Sequence, residues 1–185
     1  EGDVPGWRFV DDVLFTDFLV LLKLPEGWRI VSKVCSCRPL VEPAVLGGRE
    51  ASASAAAAVR VCIDGYYASG HQSDPAGMSL WYHRSCRLTA PSSQAESGLI
   101  CWPREEFLQR VAQRTQSAEH PLVLRHDNVS KVMLVGNDAA LVVCQIAYPP
   151  LLFTDLLSLL RTEGNDTGWC IVCKSSVSAP LPQAA

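Results

Sequence analysis

The chain has 185 residues, 48% hydrophobic and 19% charged, with a formal net charge of −3 from 16 basic and 19 acidic side chains. Such an apolar chain is not disordered, and so small a charge imbalance argues against a phosphate-binding surface, so nucleic acid is not an expected partner. The longest apolar stretch, Val13 to Leu24, has twelve residues and carries Asp17 and Lys23; a membrane-spanning helix needs about 20, and none is expected.

The first residue is Glu1, with no signal-peptide pattern, which reads as a processed product or part of something longer. Residues 13 to 24 read Val-Leu-Phe-Thr-Asp-Phe-Leu-Val-Leu-Leu-Lys-Leu, and residues 151 to 162 read Leu-Leu-Phe-Thr-Asp-Leu-Leu-Ser-Leu-Leu-Arg-Thr. Phe15-Thr16-Asp17 therefore matches Phe153-Thr154-Asp155, and after a turn Trp28-Arg-Ile-Val-Ser-Lys33 matches Trp169-Cys-Ile-Val-Cys-Lys174. Each unit reads as a β-hairpin with a polar, Gly-containing turn, the second turn being three residues longer. Residues 1–38 are then the closing strands of a partial first copy, 39–50 a Pro- and Gly-bearing linker, 51–178 a complete copy and 179–185 a tail. Two or three strands cannot bury an apolar face alone, so the first unit is expected to pack on something else.

Within the complete copy, Ala-rich residues from Ser54 to Ser69 place Val59, Cys62, Ile63, Tyr66 and Tyr67 at helical spacing, with Gly70 as the stop. Asp74-Pro75 caps a second helix running to Tyr82. Cys86 to Ala90 reads as a short strand and Pro91 to Gly98 as a polar, mobile loop. Pro103-Arg-Glu-Glu opens a third helix with Phe107, Leu108 and Val111 on one face and acidic residues at its positive end. Leu122 to Val135 reads as one long strand, broken at Asp127-Asn128; Gly136-Asn-Asp138 is a turn, Ala139 to Tyr148 a returning strand, Pro149-Pro150 a bend, and 151 to 177 the closing hairpin. Three helices followed by four antiparallel strands make an α+β plan, with the helices on one face of a curved sheet.

Eight cysteines are an even number, yet Cys62, Cys144, Cys170 and Cys173 sit in apolar runs where a thiol acts as a small hydrophobe. Reduced, buried thiols in an intracellular, reducing compartment are expected. Cys35-Ser-Cys37 offers two ligands at most, and strict alternation points Cys170 and Cys173 to opposite faces, so no metal is expected. Asn128-Val-Ser130 and Asn165-Asp-Thr167 match glycosylation sequons, patterns short enough to arise by chance.

Six segments in order carry a family resemblance: Cys62-Ile-Asp-Gly-Tyr-Tyr67, Trp81-Tyr-His83, Trp102-Pro-Arg-Glu-Glu-Phe-Leu108, Gly136-Asn-Asp-Ala139, Phe153 to Leu160, and Trp169 to Lys174. Over residues 55–177, and 13–37 for the partial copy, the chain resembles the nuclear-transport-factor-2-like (NTF2-like) superfamily and, within it, the putative lumazine-binding domains. The resemblance implies a cone-like curved antiparallel sheet wrapped around three N-terminal helices, with a pocket at its wide end and pairing through the outer sheet face. Two tandem copies would then form a pseudo-dimer, residues 1–38 lying against the second sheet.

Superfamily enzymes (isomerases, dehydratases, cyclases) place Asp, Tyr or His inside the cone, where burial tunes proton transfer. The corresponding candidates are Asp155 and His83, with Tyr67, Trp81, Trp102 and Phe107 as further pocket residues. Asp155 shares a strand face with Phe153, Leu157 and Leu159, and reads as a pocket-mouth group, an acid of raised pKa, or a structural acceptor from a backbone group or an arginine. Asp17 occupies the same place in a unit that cannot form a pocket, which favours the structural role. His83 is expected to end the second helix, followed by Arg84 where the family often has proline. His71, His120 and His126 lie in or near loops without ligand spacing. The expectation is a non-catalytic interaction or scaffold domain, without cofactor, binding a small apolar ligand and a protein partner; an isomerase, dehydratase or cyclase using Asp155 and His83 is the alternative.

Overall fold

Residues 13–39, 52–114, 127–163 and 168–181 are described in a computed structural model of the chain. Val13–Leu24 (β1) and Gly27–Pro39 (β2) form an antiparallel hairpin that is a sheet by itself. The remainder begins with helices α1 (Ala53–His71) and α2 (Pro75–Trp81), followed by strands β3 (Tyr82–Pro91) and β4 (Leu99–Pro103) and helix α3 (Arg104–Ala112). Strands β5 (Asn128–Val135), β6 (Ala139–Tyr148), β7 (Leu151–Arg161) and β8 (Trp169–Pro180) complete it. The six strands order as β4-β3-β8-β7-β6-β5, antiparallel except for the parallel contact of β3 with β8.

Local chemistry sets the helices. The Ser52 hydroxyl accepts from the Ala55 amide at the start of α1, and the Asp74 carboxylate accepts from Ala76, with Pro75 in the first turn of α2. Helix α1 runs through Gly70 to His71 instead of stopping at Gly70. The glycine lies in the last turn because a Cβ there would meet the Tyr148 hydroxyl. Gly65 is tighter still, since a methyl would run into the Trp81 indole. Gly65→Ala is therefore expected to cost about 1–3 kcal/mol by overpacking, read as a lowered urea midpoint; an unchanged midpoint would show that Trp81 moves aside freely.

The three helices cover one face of an open, mostly antiparallel sheet. Val59, Cys62, Ile63 and Tyr66 of α1 meet Val142, Cys144 and Ile146 of β6, Leu157 and Leu159 of β7, and Trp169 and Ile171 of β8. Three expectations need correction. Helix α2 ends at Trp81, so His83 stands in β3 and not at a helix terminus. The strand expected at 86–90 spans 82–91, because it pairs with both β8 and an unexpected β4. Finally, β8 carries one extra residue, Val172, so that Cys170 and Cys173 fall on the same side in register, facing Leu160 and Ser158. The loop before β4 is closed by backbone bonds from Ser92 N to Gly98 O and from Gly98 N to Ala95 O. Of the strand expected over 122–135, residues 122–126 lie outside the described residues, as does the linker from residue 40.

The two hairpins agree in detail. Asp17 faces Cys35 as Asp155 faces Ser176, and Leu19 faces Lys33 as Leu157 faces Lys174. The register slips between Val20 and Leu21 and, 138 residues on, between Ser158 and Leu159, leaving Val31 and Val172 as the extra residues. The β1–β2 hairpin lays Val20, Leu22, Leu24 and Val34 against the outer side of the large sheet, β2 crossing β6, β7 and β8 while β1 approaches β3. Ser32 hydrogen-bonds Cys173 at this seam.

Among the described residues no disulfide joins the eight cysteines. Burial pushes the Cys62 and Cys144 thiols up to about 12 and raises that of Cys86, so almost no thiolate forms there in mild alkali. Iodoacetamide is expected to modify exposed Cys37 and Cys101 and to spare Cys62, Cys86 and Cys144 until denaturant is added, counted by peptide mass. Equal labelling of Cys62 and Cys101 without denaturant would refute this.

Candidate functional site

Alternation along β7 and β8 puts Phe153 and Asp155 of one strand, and Lys174, Ser176 and Ser178 of the other, on the helix-covered side. Asp155 is fully buried. Its Oδ2 accepts from Tyr66 Oη at 2.5 Å and from Lys174 Nζ at 2.6 Å, and its Oδ1 accepts from Ser176 Oγ at 2.5 Å. Lys174 Nζ also donates to Tyr66 Oη at 2.9 Å and lies 5.1 Å from the Tyr66 ring centroid. A buried carboxylate thus meets three donors, one of them cationic, as its burial requires. Burial, with the Asp155 charge behind it, raises the Tyr66 phenol well above its ordinary value, so it stays a donor. The partners of Asp155 are lysine, tyrosine and serine, in place of the backbone or arginine expected.

Above this cluster opens a cavity of about 220 Å³. Its walls include Leu88, Trp102, Phe107, Tyr148 and Phe153, with Lys174 and Ser176 contributing polar atoms. Arg114 stands at its side, 4.5 Å over the Tyr148 ring and 5.7 Å from the Phe107 ring centroid, and hydrogen-bonds the Tyr148 hydroxyl. Among the described residues no carboxylate pairs with Arg114. An apolar cleft with few polar groups is the usual form of a small-molecule site, and here the free polarity is cationic.

Of the residues singled out from sequence, Trp102 and Phe107 line this cavity and Asp155 lies beneath it. Tyr67 is buried and donates to the Asn128 carbonyl at 3.2 Å, while Trp81 packs partly buried on the core. His83 lines a different opening with Ser79, Leu80, Arg84 and Glu163, and its Nδ1 pairs with Ser85 Oγ at 2.6 Å. It is not brought to Asp155. His71 ends α1 buried, its Nε2 donating to both Asp127 oxygens at 2.6 and 2.9 Å; His120 and His126 lie outside the described residues. Among the described residues no cluster of three His, Cys, Asp or Glu could hold a metal.

Sequence reasoning missed Lys174, Ser176 and Arg114, and read Tyr66 as a core residue without assigning its hydroxyl to Asp155. A signal for Lys174 existed: the Asp17–Lys33 pair of the first hairpin, at 2.8 Å, stands at the same register.

A family model described as putative lumazine-binding matches residues 54–175. Among solved structures, an NTF2-like protein of unknown function from Shewanella baltica OS155 superposes with a TM-score of 0.60 at 18% identity, over 72% of this chain and 100% of that one. One from Methylobacillus flagellatus KT gives 0.57 at 16%, over 72% and 99%. A cystatin-like fold protein from Burkholderia xenovorans LB400 gives 0.54 at 16%, over 74% and 100%. At these identities the likeness shows a shared fold alone. No curated relative matches the sequence.

Proposed function

The chain belongs to the putative lumazine-binding family, with an NTF2-like fold, and we propose that it is a non-catalytic ligand-binding and assembly module. The observation that carries this is the use of Asp155: both its oxygens are engaged in a buried cluster by Tyr66, Lys174 and Ser176. A group so held, fully buried and beneath the residues that line the cavity, organises the floor of a binding site and does not itself meet a ligand. The preferred ligand is a small apolar body with one acidic group, its hydrocarbon or ring between Phe107, Tyr148 and Phe153 and its charge toward Arg114 and Lys174.

Quenching of tryptophan fluorescence by octanoate, octanol and lumazine tests this, since Trp102 lines the cavity. Octanoate is expected to bind and octanol to bind more weakly, and Arg114→Gln should weaken octanoate about tenfold, the worth of one charge-assisted contact. Equal affinity for octanoate and octanol would overturn the acidic-ligand reading, and preferential binding of lumazine would replace it.

The assembly role rests on the hairpin. Its agreement with β7–β8 in register and extra residue supports reading residues 1–38 as the closing strands of a neighbouring cone, laid outer face to outer face as a pseudo-dimer. Cys62, Cys86 and Cys144, buried in the core as small hydrophobes, favour a reducing compartment. Among the described residues no helix is long and apolar enough to cross a membrane.

A further inference from the structure

We propose that the outward face of the β1–β2 hairpin is a docking face for a helical layer of the same make-up as α1–α2, bearing a phenol that completes the Asp17–Lys33 pair. The inference rests on reading the hairpin as the end of a neighbouring cone, and names what covers it.

Seven side chains of this face, beside Lys23, Cys35 and Cys37, carry the comparison: Phe15, Asp17, Leu19, Leu21, Trp28, Ile30 and Lys33. Their register equivalents are Phe153, Asp155, Leu157, Leu159, Trp169, Ile171 and Lys174, the same residue at every position. In the complete cone this surface meets the helices, with Trp169 1% and Ile171 0% exposed. In the hairpin Trp28 is 62% and Ile30 60% exposed, with Phe15, Leu19 and Leu21 exposed beside them. Isolated exposed hydrophobes are ordinary, but a contiguous apolar patch marks a contact site.

The opposite face of the hairpin behaves differently. Val20 stands where β7 has Ser158, Leu24 where Thr162 follows it, and Val34 where β8 has Ser175. Those residues meet the outer side of the large sheet, a surface with other demands. Identity is therefore concentrated on the outward face, where only Lys23, Cys35 and Cys37 depart from their equivalents Arg161, Ser176 and Ser178, and is sparser on the face already in use.

The occupant follows from what covers the twin surface. Helix α1 supplies an apolar stripe of Val59, Ile63 and Tyr66, and the Tyr66 hydroxyl sits between Asp155 and Lys174. With the same residues in the same register, the hairpin fits a helix pair of that kind, with a tyrosine over Asp17 and Lys33. A second copy's hairpin stacked on this face would set two ion pairs against each other with no donor to finish either. In the complete cone the helices precede their closing strands, which places the covering layer on the N-terminal side of Val13 in the same polypeptide.

The test is photo-crosslinking of the polypeptide as its source makes it, with p-benzoylphenylalanine in place of Leu19. The expected product joins residue 19 to a segment ahead of Val13 with apolar residues at helical spacing and a tyrosine, and oxidative labelling of Trp28 is lost. A product with another copy's 13–39 segment, a helical product from a different chain, or no product with Trp28 freely labelled would each overturn the proposal. A second arm keeps the underlying reading separate: in Ser32→Cys treated with oxidised glutathione, which takes up the two electrons as its disulfide is reduced, the new thiol should form a disulfide with Cys173 where the hairpin seats on the sheet. Disulfide without the expected crosslink sinks the docking proposal alone; failure of both sinks the neighbouring-cone reading as well.

Discussion

Replacing Lys174 by methionine is expected to destabilise the cone by about 3–5 kcal/mol, the usual consequence of stranding one member of a buried ion pair. The carboxylate left behind is 0% exposed and would keep only the Tyr66 and Ser176 hydroxyls as donors. Urea unfolding followed by circular dichroism reads the change as a lowered midpoint. The double variant Asp155→Asn with Lys174→Met should recover much of the loss, because it strands no charge. Lys33→Met, at the equivalent place in the first hairpin, should leave the midpoint where it is, since Lys33 and Asp17 are 54% and 33% exposed and water already screens them. Equal effects at Lys174 and Lys33 would show that burial does not distinguish the two pairs.

Trp169→Ala is the second large effect, about 3–5 kcal/mol for removing a fully buried indole and leaving a cavity. Trp169 opens β8 and closes the core beneath α1. In the 185-residue chain its twin Trp28 should tolerate alanine within about 0.5 kcal/mol, as exposed positions do. Two identical residues in matching strands then differ only in what covers them. A comparable loss at Trp28 would mean that the hairpin face is already buried in solution, and size-exclusion chromatography would identify self-association as the cause.

The hairpins were legible because identical residues recur at matched spacing, and α1 because Val59, Cys62, Ile63 and Tyr66 follow a helical period. Asp74-Pro75 announced α2 through cap chemistry that acts locally. Strand β4 was not legible: Leu99 to Pro103 is short, follows a polar turn and abuts the helix that Pro103 opens. His71 and Asp127 are 56 residues apart, and no local pattern joins them. The site was half visible. Trp102 and Phe107 stand out as large apolar groups, but Lys174 reads as an ordinary surface lysine unless strand pairing with Asp155 is known. His83 misled because a helix continuing one residue further would have turned it toward a different neighbourhood.

Val172 has one consequence larger than its size. Along β8 the residues facing the helices are odd-numbered at Trp169 and Ile171 and even-numbered at Lys174, Ser176 and Ser178. The strand changes parity once, at that valine. An indole and a branched aliphatic, which belong in the dry interior, lie before the switch; the ammonium and hydroxyl groups that give the cavity its polarity lie after it. A β8 that kept Val172 but paired without the bulge would turn Lys174 to the opposite surface, leaving Asp155 without its cation and the cavity with a blank wall.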